Sequence, residues 1–262
     1  MKGGKHLFLD LETIPDPDLP QPVFKEGEKE VMPSVPHHKI VVVGCLLLDN
    51  HVPTAIGVCG EGRGGKPDKG EKATLEELFA WLVRMAPITI VTWNGRGFDM
   101  PCLAARAFKH GIPMGWYYQG KDVRYRYSTN GHMDVMDYLA DFGGTKSSKL
   151  DVYAKLCGFP GKMGTDGSKV AEMIALGFIE EVRAYCLTDV AQLAAIFLRT
   201  QLVRGEISLE HYRIFGRLLL RFFRKQPRLD ELNSKIDHKS FLMSDEELKD
   251  EDAVEARVAV AV

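Results

Sequence analysis

Leu7-Phe8-Leu9-Asp10-Leu11-Glu12 sets two carboxylates into an otherwise apolar hexapeptide. Strand side chains alternate faces at ~3.3 Å per residue, so Asp10 and Glu12 project together, ~6.6 Å apart, while Leu7, Leu9 and Leu11 point the other way. Burying unpaired carboxylates is costly, and the common remedies are a basic partner or a metal ion. No Lys or Arg alternates with them. That leaves a distant cation, a divalent metal, or a strand end that reaches solvent.

Outward from this strand, residues 15 to 38 are rich in Pro, Glu and Lys without a regular period and read as an inserted surface loop. Lys39 to Leu48 and Val52 to Cys59 read as strands, which with the first make an antiparallel meander. Thr74 and Glu77 have capping-box spacing ahead of Leu75, Leu78, Phe79 and Leu82, so a helix is expected up to Met85, closed by Pro87. Ile88 to Trp93 reads as a strand covered on both faces. A helix opened by Pro101 and closed by Gly111 follows, Met114 to Tyr118 is expected as a fifth strand, and the rest to Val203 reads as helical around a Gly-rich loop at Gly158 to Gly167. The order predicts a mixed α/β layer architecture.

Two further acidic stretches stand out. Asn94-Gly95-Arg96-Gly97-Phe98-Asp99 lies between a strand and a helix, where open α/β sheets place ligands. Asp99 could equally cap that helix, and Phe98 could be core or could stack on a base. Asn94 offers both a donor and an acceptor. The third stretch, Tyr185 to Asp189, falls in a helix from about Glu180 to Val203, with Tyr185 and Asp189 on one face. A solvated face is the plain alternative. Taken together, Asp10, Glu12, Asp99 and Asp189 form an oxygen-only set, which selects hard ions such as Mg²⁺ or Mn²⁺ over zinc.

The stretches DLE at Asp10, NGRGFDMP from Asn94, and Tyr185 with Asp189, in that order, resemble a DEDDy-type 3′-to-5′ exonuclease of the ribonuclease H-like fold. The closest resemblance is to the freestanding bacterial family related to the exonuclease domain of family B DNA polymerases. The resemblance implies a mixed β-sheet flanked by helices and two Mg²⁺ or Mn²⁺ ions per active site. It implies metal ligands at Asp10, Glu12, Asp99 and Asp189, with Asp10 bridging the ions, and Tyr185 orienting the attacking water. It also implies substrate contacts from Leu11, Asn94 and Phe98. The substrate implied is the 3′ end of a single-stranded nucleic acid, DNA favoured over RNA. A 3′-to-5′ exoribonuclease and a non-catalytic nucleic-acid-binding module remain as alternatives.

Other segments read as accessories. Arg124-Tyr125-Arg126-Tyr127 interleaves basic and aromatic side chains, as an edge for single-stranded nucleic acid or as a polar β-edge. Lys162 and Lys169 in the Gly-rich loop can reach phosphate. Asp134 and Asp137 suit the first turn of a short helix, and His132 reads as a surface or supporting residue. Residues 1–205 are expected as the exonuclease domain and 206–232 as a basic helix with Arg213, Arg217, Arg221, Arg224 and Arg228. Residues 233–262 are expected as an acidic, disordered tail whose removal from 240 onward would tighten nucleic-acid binding. With 262 residues and a formal charge of −2, the chain can bury a full core and carries no overall basic field. Five scattered cysteines without C-x-x-C spacing argue against a disulfide frame or a zinc site. Short apolar runs and the lack of a signal-type N-terminus predict a cytoplasmic protein with no membrane association.

Overall fold

The structure is a computed structural model that describes residues 4–20, 33–62, 66–164 and 167–244. Its centre is a five-stranded sheet in the order β3-β2-β1-β4-β5. The strands are β1 (Lys5–Pro15), β2 (His38–Asp49), β3 (Val52–Val58), β4 (Ile88–Thr92) and β5 (His132–Asp134). β1 pairs antiparallel with β2 and β2 with β3, whereas β4 and β5 run parallel to β1. The meander is therefore as expected. The fifth strand is not: Met114 to Tyr118 contributes a helical turn, and the short His132–Asp134 segment takes the edge position. Three residues give no periodic signal, which is why the tertiary pairing was invisible.

The alternation in β1 builds the two layers. Leu7, Leu9 and Leu11 pack with Leu75, Leu78, Phe79 and Leu82 of α1 (Glu71–Met85) and with Met100 and Leu103 of α2 (Asp99–His110). Phe8 faces the other side, against Val190, Leu193 and Phe197 of the long helix α7 (Ile179–Val203). Between these lie α3 (Gly115–Tyr118), α4 (Val135–Leu139), α5 (Leu150–Leu156) and α6 (Val170–Ala175). Helix α1 starts at Glu71, one turn before the expected cap, so Thr74 is a buried helical residue and no capping box forms. Helix α7 is long and apolar enough to cross a membrane by length and composition, but most of it is buried inside the protein.

Residues 15 to 38 are less loop-like than their composition suggests. β1 continues to Pro15, and Asp16 is fully buried against Arg106; residues 21–32 lie outside the described residues. Arg106 also holds Glu71 through two hydrogen bonds of 2.6 and 2.7 Å, which ties α2 to β1 and to the first residue of α1.

The C-terminal part departs from the single basic helix expected over 206–232. α8 (Leu209–Arg224) is followed by a 3₁₀ turn at Pro227–Leu229, then α9 (Asp230–Lys235) and α10 (His238–Leu242). Residues 233–243 are thus part of the packed structure: Phe241 and Leu242 are buried, and the Phe241 carbonyl accepts from the Tyr212 hydroxyl at 2.5 Å. A deletion from residue 240 would remove core. Residues 245–262, the acidic segment, lie outside the described residues. The arginine stripe is internally engaged in part. Arg213 donates to the carbonyls of Leu242 and Met243, and Arg228 bridges Glu61 and Glu180, which binds the 3₁₀ turn to the start of α7.

Candidate active site

Asp10 and Glu12 leave β1 on the α7 side, as the alternation requires. One ligating oxygen from each lies within 4.8 Å of the other and of the Cys186 sulfur. Cys186 packs under Asp10, donating to its carboxylate at 3.3 Å. This close approach of α7 depends on Gly44, which pairs with Asp10 across the sheet; a Cβ there would lie 2.6 Å from the Cys186 sulfur. A glycine inside a strand often marks such an approach.

Asp99 arrives from the opposite layer. β1 stays paired with β2 to Pro15, but its pairing with β4 ends at Phe8 opposite Val91. The open edge beyond Phe8 is filled by the start of α2, where the Asp99 carboxylate accepts the Leu11 N–H. Asp99 is the first residue of α2 and Phe98 precedes it with no side-chain cap, so Asp99 is not the N-cap. The turn leading there explains its composition. Asn94 sits in the left-handed region at φ 61°, and its carbonyl accepts the Gly97 and Phe98 N–H groups at 3.0 Å. A Cβ at Gly95 would lie 2.2 Å from the Thr92 hydroxyl oxygen. Asp134 accepts the N–H groups of Asn94 and Arg96 and caps α4, so it supports the loop from behind.

Asp189 comes from α7, one turn after Tyr185, whose phenol hydrogen-bonds its carboxylate. Gln192, another turn on, hydrogen-bonds Asp189 and accepts the Gly161 N–H at 2.8 Å, so the Gly-rich loop is anchored to the same carboxylate.

The four acids lie close enough to act on one another electrostatically, with Asp10 and Glu12 the tight pair. Burial raises Asp10 well above the carboxylate range, and Glu12, Asp99 and Asp189 raise it further. Glu12 is raised by burial and by Asp189 and Asp99. Asp99 and Asp189 are each pushed up to about 7, mainly by burial. Burial and the surrounding carboxylates also push the Tyr185 phenol upward, so it stays protonated. Such a set holds protons or a compensating cation. Four carboxylates offering oxygen alone fit a hard divalent ion.

The family model described as a predicted 3′-5′ exonuclease related to the exonuclease domain of PolB matches residues 31–238. The chain belongs to that family. The matched span contains Asn94 to Asp99, Tyr185 and Asp189, while Asp10 and Glu12 precede it. A 76-residue stretch is 34% identical to the DNA polymerase epsilon catalytic chain of Dictyostelium discoideum, covering 28% of this chain and 3% of that one. The family B DNA polymerase from the hyperthermophilic archaeon Pyrobaculum calidifontis superposes with a TM-score of 0.50 at 18% identity, over 92% of this chain and 27% of that one. This second likeness is one of fold, the ribonuclease H-like sheet flanked by helices. The chain thus spans a small part of the polymerases it matches.

Exonucleases of this DEDD type are typically metal-dependent. Around the carboxylates of this PolB-exonuclease relative, the other expected residues fall into three groups. Asn94 is exposed on a cavity that none of the four acids lines, and Phe98 is half-buried with its ring edge-on to His38 at 5.3 Å. Leu11 is only 5% exposed within the leucine layer, and its N–H is taken up by Asp99. The Lys162 ammonium lies near enough to Asp189 to lower its pKa.

Arg124 and Arg126 lie in a turn, not on a β-edge, and line a cavity of about 580 Å³ together with Asn94, Gly97, Tyr117 and Asp137. Arg124 stands over the Tyr117 and Tyr118 rings at 5.6 and 5.1 Å, and Arg126 pairs with Asp137 at 2.6 Å. Arg96 went unnoticed in sequence; it is the strut of this wall, donating to the carbonyls of Val123, Tyr125 and His132. Its place between two glycines was the available signal. Of the two places expected for His132, surface or support, the structure shows the second: it is fully buried and bonded to Thr92 at 2.8 Å.

Proposed function

We propose that the protein hydrolyses the terminal phosphodiester of single-stranded DNA from the 3′ end, releasing nucleoside 5′-monophosphates. The reading is supported by four acids, Asp10, Glu12, Asp99 and Asp189, which come from two layers of the fold and act on one another electrostatically. Asp10, Glu12 and Asp189 would hold one Mg²⁺ or Mn²⁺ ion, with Asp10 shared and Asp99 completing the second. When bound, such a pair supplies charge stabilisation for the attacking and leaving oxygens of a phosphodiester. The protonated Tyr185 hydroxyl, fixed by Asp189, both donates and accepts and so can orient a water on the terminal phosphorus. A new phosphorus–oxygen bond forms, the bond to the 3′ oxygen of the preceding nucleotide breaks, and a shorter strand with a 3′ hydroxyl remains.

Asn94 and Phe98 would position the terminal nucleotide. Arg124, Arg126 and Lys162 would hold the strand through its phosphates, and the exposed rings of Tyr125 and Tyr127 would give its bases a sequence-tolerant stacking surface. The test is degradation of 5′-labelled DNA and RNA oligonucleotides in Mg²⁺ or Mn²⁺. A ladder shortening from the 3′ end of DNA, lost in Asp10→Ala and Asp189→Ala, is expected. Cleavage surviving in either purified variant would refute the site, and RNA degraded faster than DNA would reassign the substrate. A strand bound without shortening would identify a binding module.

A further inference from the structure

Cys102, Cys157 and Cys186 are buried, whereas Cys45 and Cys59 are half-buried and meet on the sheet face opposite the carboxylates. Cys45 on β2 pairs with Leu9 on one side and Gly57 on the other. Cys59 follows β3, and its N–H still bonds the Val43 carbonyl at 3.0 Å. The two thiols are therefore diagonal neighbours on one face, with their side chains turned toward each other. Their sulfurs are 3.6 Å apart.

Both line a cavity of about 550 Å³ whose charged walls are Lys66, Lys69, Arg84, Glu61 and Glu77. Lys69 and Glu77 pair at 2.7 Å, and Glu61 is taken up by Arg228 and Arg183. The balance favours an anionic visitor. Disulfide formation needs the sulfurs to close to about 2.05 Å. Closure falls to rotation of the two side chains and a small shift of the chain at Cys59, which lies past the last residue of β3.

We infer that Cys45 and Cys59 are a reversible oxidation site for low-molecular-weight disulfides of the glutathione class. The Cys59 thiolate attacks one sulfur of the glutathione disulfide, forming a mixed disulfide and releasing one glutathione thiolate. Cys45, after losing its proton to solvent, attacks the Cys59 sulfur. The Cys45–Cys59 bond forms and the second glutathione leaves as thiolate. Two protein thiols are oxidised by two electrons and one glutathione disulfide is reduced to two thiols. The order of attack follows from position, since Cys59 lies past the end of β3 and Cys45 sits inside β2, and the hydrogen bond they share lowers the Cys59 thiol and, with burial, raises Cys45.

The test treats the native full-length protein with glutathione disulfide and reads intact mass and a non-reducing peptide map. Loss of two hydrogens, a Cys45–Cys59 cross-linked peptide and full reversal by dithiothreitol are expected. Cys45→Ser should instead retain one glutathione on Cys59, and Cys59→Ser should give neither product. Should a variant fail to fold, brief alkylation of the wild type decides: Cys59 is expected to label about tenfold faster than Cys102, Cys157 or Cys186. An unchanged mass, a map placing oxidation at the buried cysteines, or equal labelling of all five would overturn the assignment.

Discussion

Replacing Asp99 by Asn should stabilise the metal-free protein while destroying its activity. The Asp99 carboxyl is raised from an ordinary 3.8 to about 7, chiefly by burial, and is 4% exposed. The native state therefore keeps a proton that the unfolded chain releases, and wild-type stability falls as pH rises from about 4 through about 7. A shift of about three pKa units is worth about 4 kcal/mol at most. Asp10, Glu12 and Asp189 share the strain, so relief at one site partly relaxes the others and about 2 kcal/mol is the expected net gain. For a chain of this size that is a rise in Tm of about 4–8 °C in chelator at pH 8. The gain should shrink to less than half by pH 5 and vanish below about pH 3, where wild-type Asp99 is protonated in both states. Comparing variant with wild type at each pH cancels the opposing contributions of buried histidines such as His6 and His132, whose pKa values are lowered. Millimolar Mn²⁺ should reverse the order by stabilising the wild type alone. An Asp99→Asn protein that melts below wild type at pH 8 in chelator would refute the reasoning.

Tyr185→Phe keeps the ring but removes the hydroxyl bonded to Asp189; kcat should fall about tenfold to a hundredfold with KM little changed, measured by single-nucleotide release. Arg106→Met leaves Asp16 and Glu71 buried without their guanidinium, and urea unfolding should show a loss of about 3–5 kcal/mol. Ending the chain after Ser244 should leave Tm within about 1 °C of wild type, whereas ending it after Ser208 strips the cover from Phe197 and Leu193 and should yield insoluble protein or a broad melt.

The sequence reading reached furthest where a local period or a charge exception carried the signal. Alternation in β1 placed both carboxylates on one face and the leucines on the other, and the Pro101 and Gly111 punctuation located α2. The long α7 was legible from its apolar stripe. What escaped depended on distant pairing. β5 is held in place by β4 and by Arg96, not by any pattern of its own. Arg213 and Arg228 look like a solvated stripe until the carbonyls of α10 and the carboxylates of Glu61 and Glu180 come into view. Gly44 and Cys186 lie 142 positions apart, and only the packed helix shows that one makes room for the other.

Helix α7 carries Tyr185 and Asp189 near its start, while its second half, around Leu193 and Phe197, is walled by α8 and the turns after it. One rigid rod therefore spans the pocket and the C-terminal cap. Loosening the cap is expected to free the second half of the helix and, through it, to disturb the placement of Tyr185 and Asp189. Minimal versions of this nuclease unit should be cut beyond Met243, since a shorter piece sacrifices aim before it sacrifices the sheet.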